Sequence, residues 1–402
     1  MNKWISLGIS AAVLSLSACM VDDSSGPPLS YDASALLNNT ATDFFAIEAA
    51  ALKTHTDALQ TSLKSYCSDT NIANGTQKQL AQTAWLTAAT QWRKLEAFNF
   101  GPAEYVVNSG ITADTLLAQT INNYGKSSAS KINASAIDAN MERFELNKSA
   151  DINASNVPIA VLGFDALDYL LFTPTPETLA SGSNPTWDAL SPQDKLLARC
   201  NYALSISQRL SSDVSLYKQL WDDYQTSFTT DIEDSLKNLS DSVFFLDTLV
   251  KDVKLAQVLG INDKCNSGRC EENVESLYAR ASYALILANL ESFKQVFTGG
   301  EGYGFEEAYI ERGEAALARS MIDSVDLAIS TASALNNGNQ SLYDYAASVD
   351  KDDCENFAAA PSSGSTGCHL YGQIKIISDK LKTEFTTVID TSIPSNAAGD
   401  GD

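Results

Sequence analysis

Apolar residues recur three and four positions apart along most of the chain. This is the spacing of one helical face, and it runs over 41–66, 76–98, 158–172, 191–211, 213–236, 240–259, 271–297, 304–336 and 368–391. Stop signals separate these stretches: Gly101-Pro102, "TPTPETLASGSNP", Gly260, Gly299-Gly300 and "AAPSSGSTG". No run alternates β-branched residues with the period of a strand. The pattern predicts an all-α protein. So many long helices exceed one four-helix bundle and suit two packed ones. A division into similar halves places the bundles at 35–212 and 213–391, after a polar tether at 20–34 and before a disordered tail at 392–402.

One predicted helix carries an anomaly. "VPIAVLGFDALDYLLFTP" (157–174) is apolar on all sides, with Asn156 as a cap and Pro158 in its first turn. Yet it holds Asp165 and Asp168, which helical spacing puts on the same face one turn apart. Apart from the Tyr169 hydroxyl they are the only polar side chains between Val157 and Phe172. An ionised carboxylate buried without a partner costs several kcal/mol, and two neighbours raise each other's pKa. Either an arginine such as Arg93, Arg143 or Arg280 pairs with them, or the face reaches solvent at a domain interface, or it forms a ligand site.

Two further stretches matter. In "TAWLTAATQWRKLEAFNFGP" (83–102) Trp85, Trp92, Glu96 and Phe100 share a helical face, and the acid within that aromatic stripe is out of place. In "ENVESLYARASYALILANLESF" (272–293) Glu275, Ser282 and Asn289 recur every seventh residue, which by spacing alone reads as a solvated face. No GxSxG elbow, P-loop, HExxH or EF-hand loop occurs.

Charge and cysteines narrow the class. The formal net charge of -23 argues against nucleic acid and anionic lipid surfaces as partners. The start, "MNKWISLGISAAVLSLSACM", has one lysine, an apolar run from Ile5 to Leu16 that is too short to span a bilayer, and small residues after it. "LSAC" is similar to a bacterial lipobox, so Cys19 is the expected lipidation site and 1–19 the signal peptide; cleavage near Ala18 is the alternative. Met20 in place of aspartate favours the outer membrane, with the protein facing the periplasm and touching the membrane only through its lipid. The remaining six cysteines form an even set in an exported chain. Proximity favours Cys265–Cys270 and Cys354–Cys368, leaving Cys67–Cys200. With only His55 and His369 and no CxxC, a zinc site has little support.

Taken in order, the three segments resemble the imelysin family, exported bacterial proteins and lipoproteins linked to iron uptake and once labelled metallopeptidases. The family's GxHxxE hallmark falls on Gly163, Asp165 and Asp168, with aspartate in both the histidine and the glutamate positions. Trp85, Trp92, Glu96, Phe98 and Gly101 match a second family pattern, whose arginine is Thr90 or Ala89 here. Glu275, Ser276, Ser282 and Asn289 match a third, with Ala279 replacing a serine and Leu285 an aspartate. The resemblance implies two four-helix-bundle domains and a site between them.

Without the histidine, Asp165, Asp168 and Glu96 would make an all-oxygen metal site for a hard cation such as iron or calcium. Trp92, Gly163, Tyr169, Glu275, Ser282 and Asn289 would line it. The expected function is binding of a metal ion or small iron-containing ligand for uptake at the cell envelope. The alternative is a non-enzymatic module that docks on an envelope transporter or receptor, with the loop 173–192 as contact element. A metallopeptidase would need ligands that this motif lacks.

Overall fold

The computed structural model describes residues 30–68, 71–107, 115–125, 132–146, 157–262, 265 and 270–398. The expected signal peptide, lipobox Cys19 and cap Asn156 lie outside the described residues.

The N-terminal half opens with α1 (Ala33–Asn39), which passes through a π-helical stretch, Thr40–Phe45, directly into α2 (Ala46–Tyr66). It continues with α3 (Gly75–Arg93), α4 (Leu117–Ile121), α5 (Ala134–Glu145), α6 (Gly163–Phe172), α7 (Pro185–Asp188), α8 (Pro192–Thr230) and α9 (Ile232–Ser242). α2 packs on α3 and α8, and α6 closes the group against α3 and α8. A wide-wound segment, Leu246–Ala256, leads into the second half. There α10 (Ser282–Thr298), α11 (Phe305–Glu311), α12 (Ala315–Asn336), α13 (Leu342–Ser348), α14 (Lys351–Ala359), α15 (Gly367–Lys380) and α16 (Thr386–Ile389) follow. α12 lies between α10 and α15, and Leu246–Ala256 packs on α15 and α10. α10 meets α3, so the seam between the two helical groups runs along these two helices. Among the described residues the strands are β1 (Val106–Val107) and β2 (Thr115–Leu116), antiparallel, with Val106 opposite Leu116.

Local chemistry explains the helix starts. Asn74 accepts the N–H groups of Thr76 and Gln77 to cap α3, and Ser191 caps α8 just before a proline in its first turn. Gly163 begins α6 at φ 68°, where an added Cβ would lie 2.2 Å from the Ile121 carbonyl oxygen. Only glycine fits both that backbone and that approach.

Several expectations change here. The division at 212/213 falls inside α8, which runs unbroken through "RLSSDVS". Its serines do not end the helix: Ser211 donates to Asp57 at 2.7 Å, while Ser212 and Ser215 bond to carbonyls one turn back. The stretch 304–336 breaks at Gly313, whose φ is 83°. Helix also fails over 271–281, where a short 3₁₀ turn (Glu271–Asn273) and further turns precede α10. The tail expected to be disordered instead follows a defined path to residue 398. Its Ala397 is buried and donates its N–H to the Pro394 carbonyl at 2.9 Å. All three expected disulfides, Cys67–Cys200, Cys265–Cys270 and Cys354–Cys368, are formed.

Candidate functional site

Where α3 ends against α10, the seam encloses a group of charged side chains. The last turn of α3 supplies Arg93, and the tight turn after it supplies Glu96. Lys254 comes from the segment Leu246–Ala256, Glu275 from the turns before α10, and Asn289 from α10 itself. Each is at most 2% exposed. Arg93 Nε donates to Glu275 Oε1 at 3.0 Å and lies 3.5 Å from Glu96 Oε2. The Lys254 ammonium contacts Glu96 Oε1 and stands 3.0 Å from Glu275 Oε2. Asn289 joins both sides: its Oδ1 accepts from Lys254 at 2.8 Å, and its Nδ2 donates to Glu96 at 2.9 Å and to the Arg93 carbonyl at 2.7 Å.

Two cations and two anions cancel, which is the condition under which buried charge is tolerated. Burial would raise the Glu96 carboxyl, but Lys254 and Arg93 outweigh it and hold the carboxyl below its ordinary value. Burial likewise opposes the Arg93 charge, and Glu275 and Glu96 more than restore it.

The two aspartates of α6 are held differently. Asp168, 1% exposed, accepts the backbone N–H groups of Ala279 at 2.8 Å and Tyr278 at 3.1 Å, with the Ser276 hydroxyl at 3.5 Å. Desolvation pushes its carboxyl up to about 7 against those amides. Asp165 is partly exposed and faces the backbone amides of Asn123, at 3.2 Å, and Tyr124. Desolvation, with Glu275 adding to it, pushes this carboxyl up to about 6 against the Arg93 guanidinium and the two amides. Neither aspartate forms an ion pair among the described residues.

Glu96 is therefore occupied by Lys254, Arg93 and Asn289, while Asp168 clamps a backbone turn. Among the described residues no group of three or more His, Cys, Asp or Glu side chains is arranged to hold a metal ion. The face read as solvated is the reverse: Glu275, Ser282 and Asn289 are all buried, and the Ser282 hydroxyl donates to the Glu275 carbonyl. Trp92 packs edge-on against Tyr217, with ring centroids 5.5 Å apart. The Tyr169 hydroxyl donates to Asp138 at 2.6 Å, and the Arg199 guanidinium lies over its ring. Arg199 also donates to the carbonyls of Pro176 and Thr178, and Trp187 to that of Glu177, so the loop after α6 is fastened to its own chain.

Sequence reasoning missed Lys254 and Asn122. Lys254 had a signal, since it stands with Lys251 inside the apolar run "LVKDVKLAQVLG". Asn122 had none. It accepts from Arg93 Nη2 at 3.2 Å. Around Asp165, Arg93 Nη1, Asn122 Nδ2 and Asn123 Oδ1 are buried with no hydrogen-bond partner among the described residues. Native structures keep such atoms rare, and a cluster of them beside a partly exposed acid is a place for a bound ligand or ordered water.

Comparison with known proteins bears on this arrangement. The imelysin family pattern matches residues 46–360. The chain belongs to the imelysin family. Two solved structures share the fold. An imelysin-like protein from Psychrobacter arcticum 273-4 is 18% identical, with a TM-score of 0.63 over 90% of this chain and 96% of that one. A protein described as an iron-regulated protein A precursor, from Parabacteroides distasonis ATCC 8503, is 15% identical, with a TM-score of 0.57 over 89% and 97%. No curated protein sequence matches the chain. The segment that resembles the family hallmark is α6, and its glycine is fixed by the Ile121 carbonyl as described above.

Proposed function

We propose that this protein is a non-catalytic binding protein of the cell envelope that takes iron in a complexed form, with Asp165 as the ligand-facing acid. The observation that carries this reading is the set of unpartnered donors, Arg93 Nη1 and Asn122 Nδ2, beside that carboxyl. A bare cation would be drawn by one carboxylate but would also meet a guanidinium and two backbone N–H groups, and these three repel it. A ferric chelate presents outward-facing oxygens to those donors, and its bound or free hydroxyl groups suit the Asp165 and Asn123 acceptors.

Family membership and a structural relative described as iron-regulated support the connection to iron. The lipobox-like start supports an envelope location by lipid anchor, and no helix of the described residues is long and apolar enough to cross a membrane.

The test is a thermal-shift titration with ferric citrate, with ferric ion alone and with citrate alone. A ligand at a hundred times its dissociation constant adds about 2.7 kcal/mol of stability. The chelate should raise the melting temperature of the wild type, and Asp165→Asn should abolish the rise. No shift with the chelate, or an equal shift in Asp165→Asn, contradicts the reading.

A further inference from the structure

The turn that Asp168 clamps has a second side. Between Glu275 and α10, Ser276 (φ 59°) and Arg280 (φ 58°) both adopt the left-handed backbone that residues with a Cβ resist. The turn is held from within. Asp168 takes the N–H groups of Tyr278 and Ala279, the Ser276 carbonyl takes that of Arg280 at 3.0 Å, and the Ser276 hydroxyl takes that of Ala281 at 3.4 Å. Of residues 274–281 only Arg280 is exposed. Two strained residues and a desolvated acid thus present one arginine at the surface.

The Arg280 guanidinium lies over the Tyr343 ring, 3.5 Å from its centroid. It makes no ion pair and no side-chain hydrogen bond among the described residues, in a chain whose net charge is -23. A guanidinium stacked by its face keeps its in-plane N–H fork for a carboxylate or phosphate. Beside it, Asn336, Asn339, Gln340 and Ser341 line a cavity of about 250 Å³. The acid at the edge of that cavity, Asp344, is already engaged by the Ser341 hydroxyl at 2.6 Å.

We propose that Arg280 anchors an oxyanion pocket that takes a single carboxylate or phosphate group of a small ligand. The Asn336 and Asn339 amide side chains supply further donors. The pocket is separate from the Asp165 site and does not depend on what binds there.

Isothermal titration at low ionic strength with inorganic phosphate, and separately with acetate, tests it. The wild type should bind at least one of them saturably, and the tighter of the two names the group. Arg280→Lys keeps the charge but loses the fork and should weaken binding at least about tenfold. Tyr343→Leu should weaken it as well, and circular dichroism should show both variants folded. Asp165→Asn should leave it unchanged. Absence of saturable binding by either anion, wild-type affinity in Arg280→Lys, or loss of binding in Asp165→Asn would each overturn the proposal.

Discussion

Glu96 and Asp168 are almost equally buried, 2% and 1% exposed, yet their carboxyls are displaced in opposite directions. Glu96 sits below its ordinary value and Asp168 well above it. Desolvation is the largest influence on both, so burial alone does not decide the outcome. The partners do. Glu96 faces two full positive charges, and Asp168 faces backbone amides with no cation in contact among the described residues. A pair of N–H dipoles satisfies the hydrogen bonds of a carboxylate without repaying the loss of its hydration. The first arrangement locks two helical groups together through neutralised charge. The second clamps a turn with an acid that is easily protonated.

The largest effect expected from this contrast comes from breaking the neutral network. Lys254→Met leaves two buried glutamates to share Arg93, and removal of one partner from such a group costs about 3–5 kcal/mol. Urea unfolding should show that loss, with little change in secondary structure beforehand. Gly163→Ala attacks the other region, since the new Cβ meets the Ile121 carbonyl at a positive φ. A loss of about 2–3 kcal/mol is expected, measured in the same way.

A smaller effect separates the two carboxyls by pH. The native carboxyl of Asp168 titrates near 7 against an ordinary 3.8, so the folded state holds a proton that the unfolded state releases. Its contribution to stability is complete below about pH 4 and is lost as pH rises through 7. Asp168→Asn should therefore cost less at pH 8 than at pH 4. Glu96 runs the other way: its contribution is present above its ordinary value of 4.5 and is lost as acid protonates it below that. Glu96→Gln should cost less at pH 3 than at pH 7. Chemical unfolding across this range reads both slopes, and parallel slopes would remove the distinction. The smallest effect on stability is expected from Asp165→Asn, within about 1 kcal/mol, because this acid is partly exposed.

Much of this was legible in the sequence. Helical periodicity, stop signals and cysteine count led to an all-α chain and to the disulfides that are found. The anomaly of acids in apolar helices was also legible, at Asp165, Asp168 and Glu96. Their fates were not, because the deciding partners lie far away in the chain. Lys254 is 158 residues from Glu96, and the Ala279 amide is 111 residues from Asp168. The left-handed residues of the clamped turn are serine and arginine, so no glycine announced it. Glu275, Ser282 and Asn289 showed only a spacing, and spacing cannot tell a face turned to water from one turned to a second bundle. The run through Ser211 and Ser212 was hidden for a similar reason, since a serine bonded to a neighbouring helix or back along its own looks like one in a loop.

Site-resolved carboxyl ¹³C NMR of the intact protein, titrated from pH 3 to pH 9, tests the contrast most directly. Glu96 should remain ionised at pH 4.5, and Asp168 should be protonated at pH 5 and titrate near 7. If both carboxyls titrated together near 4, the partner charges would not set the two apart, and the account of the seam would fail.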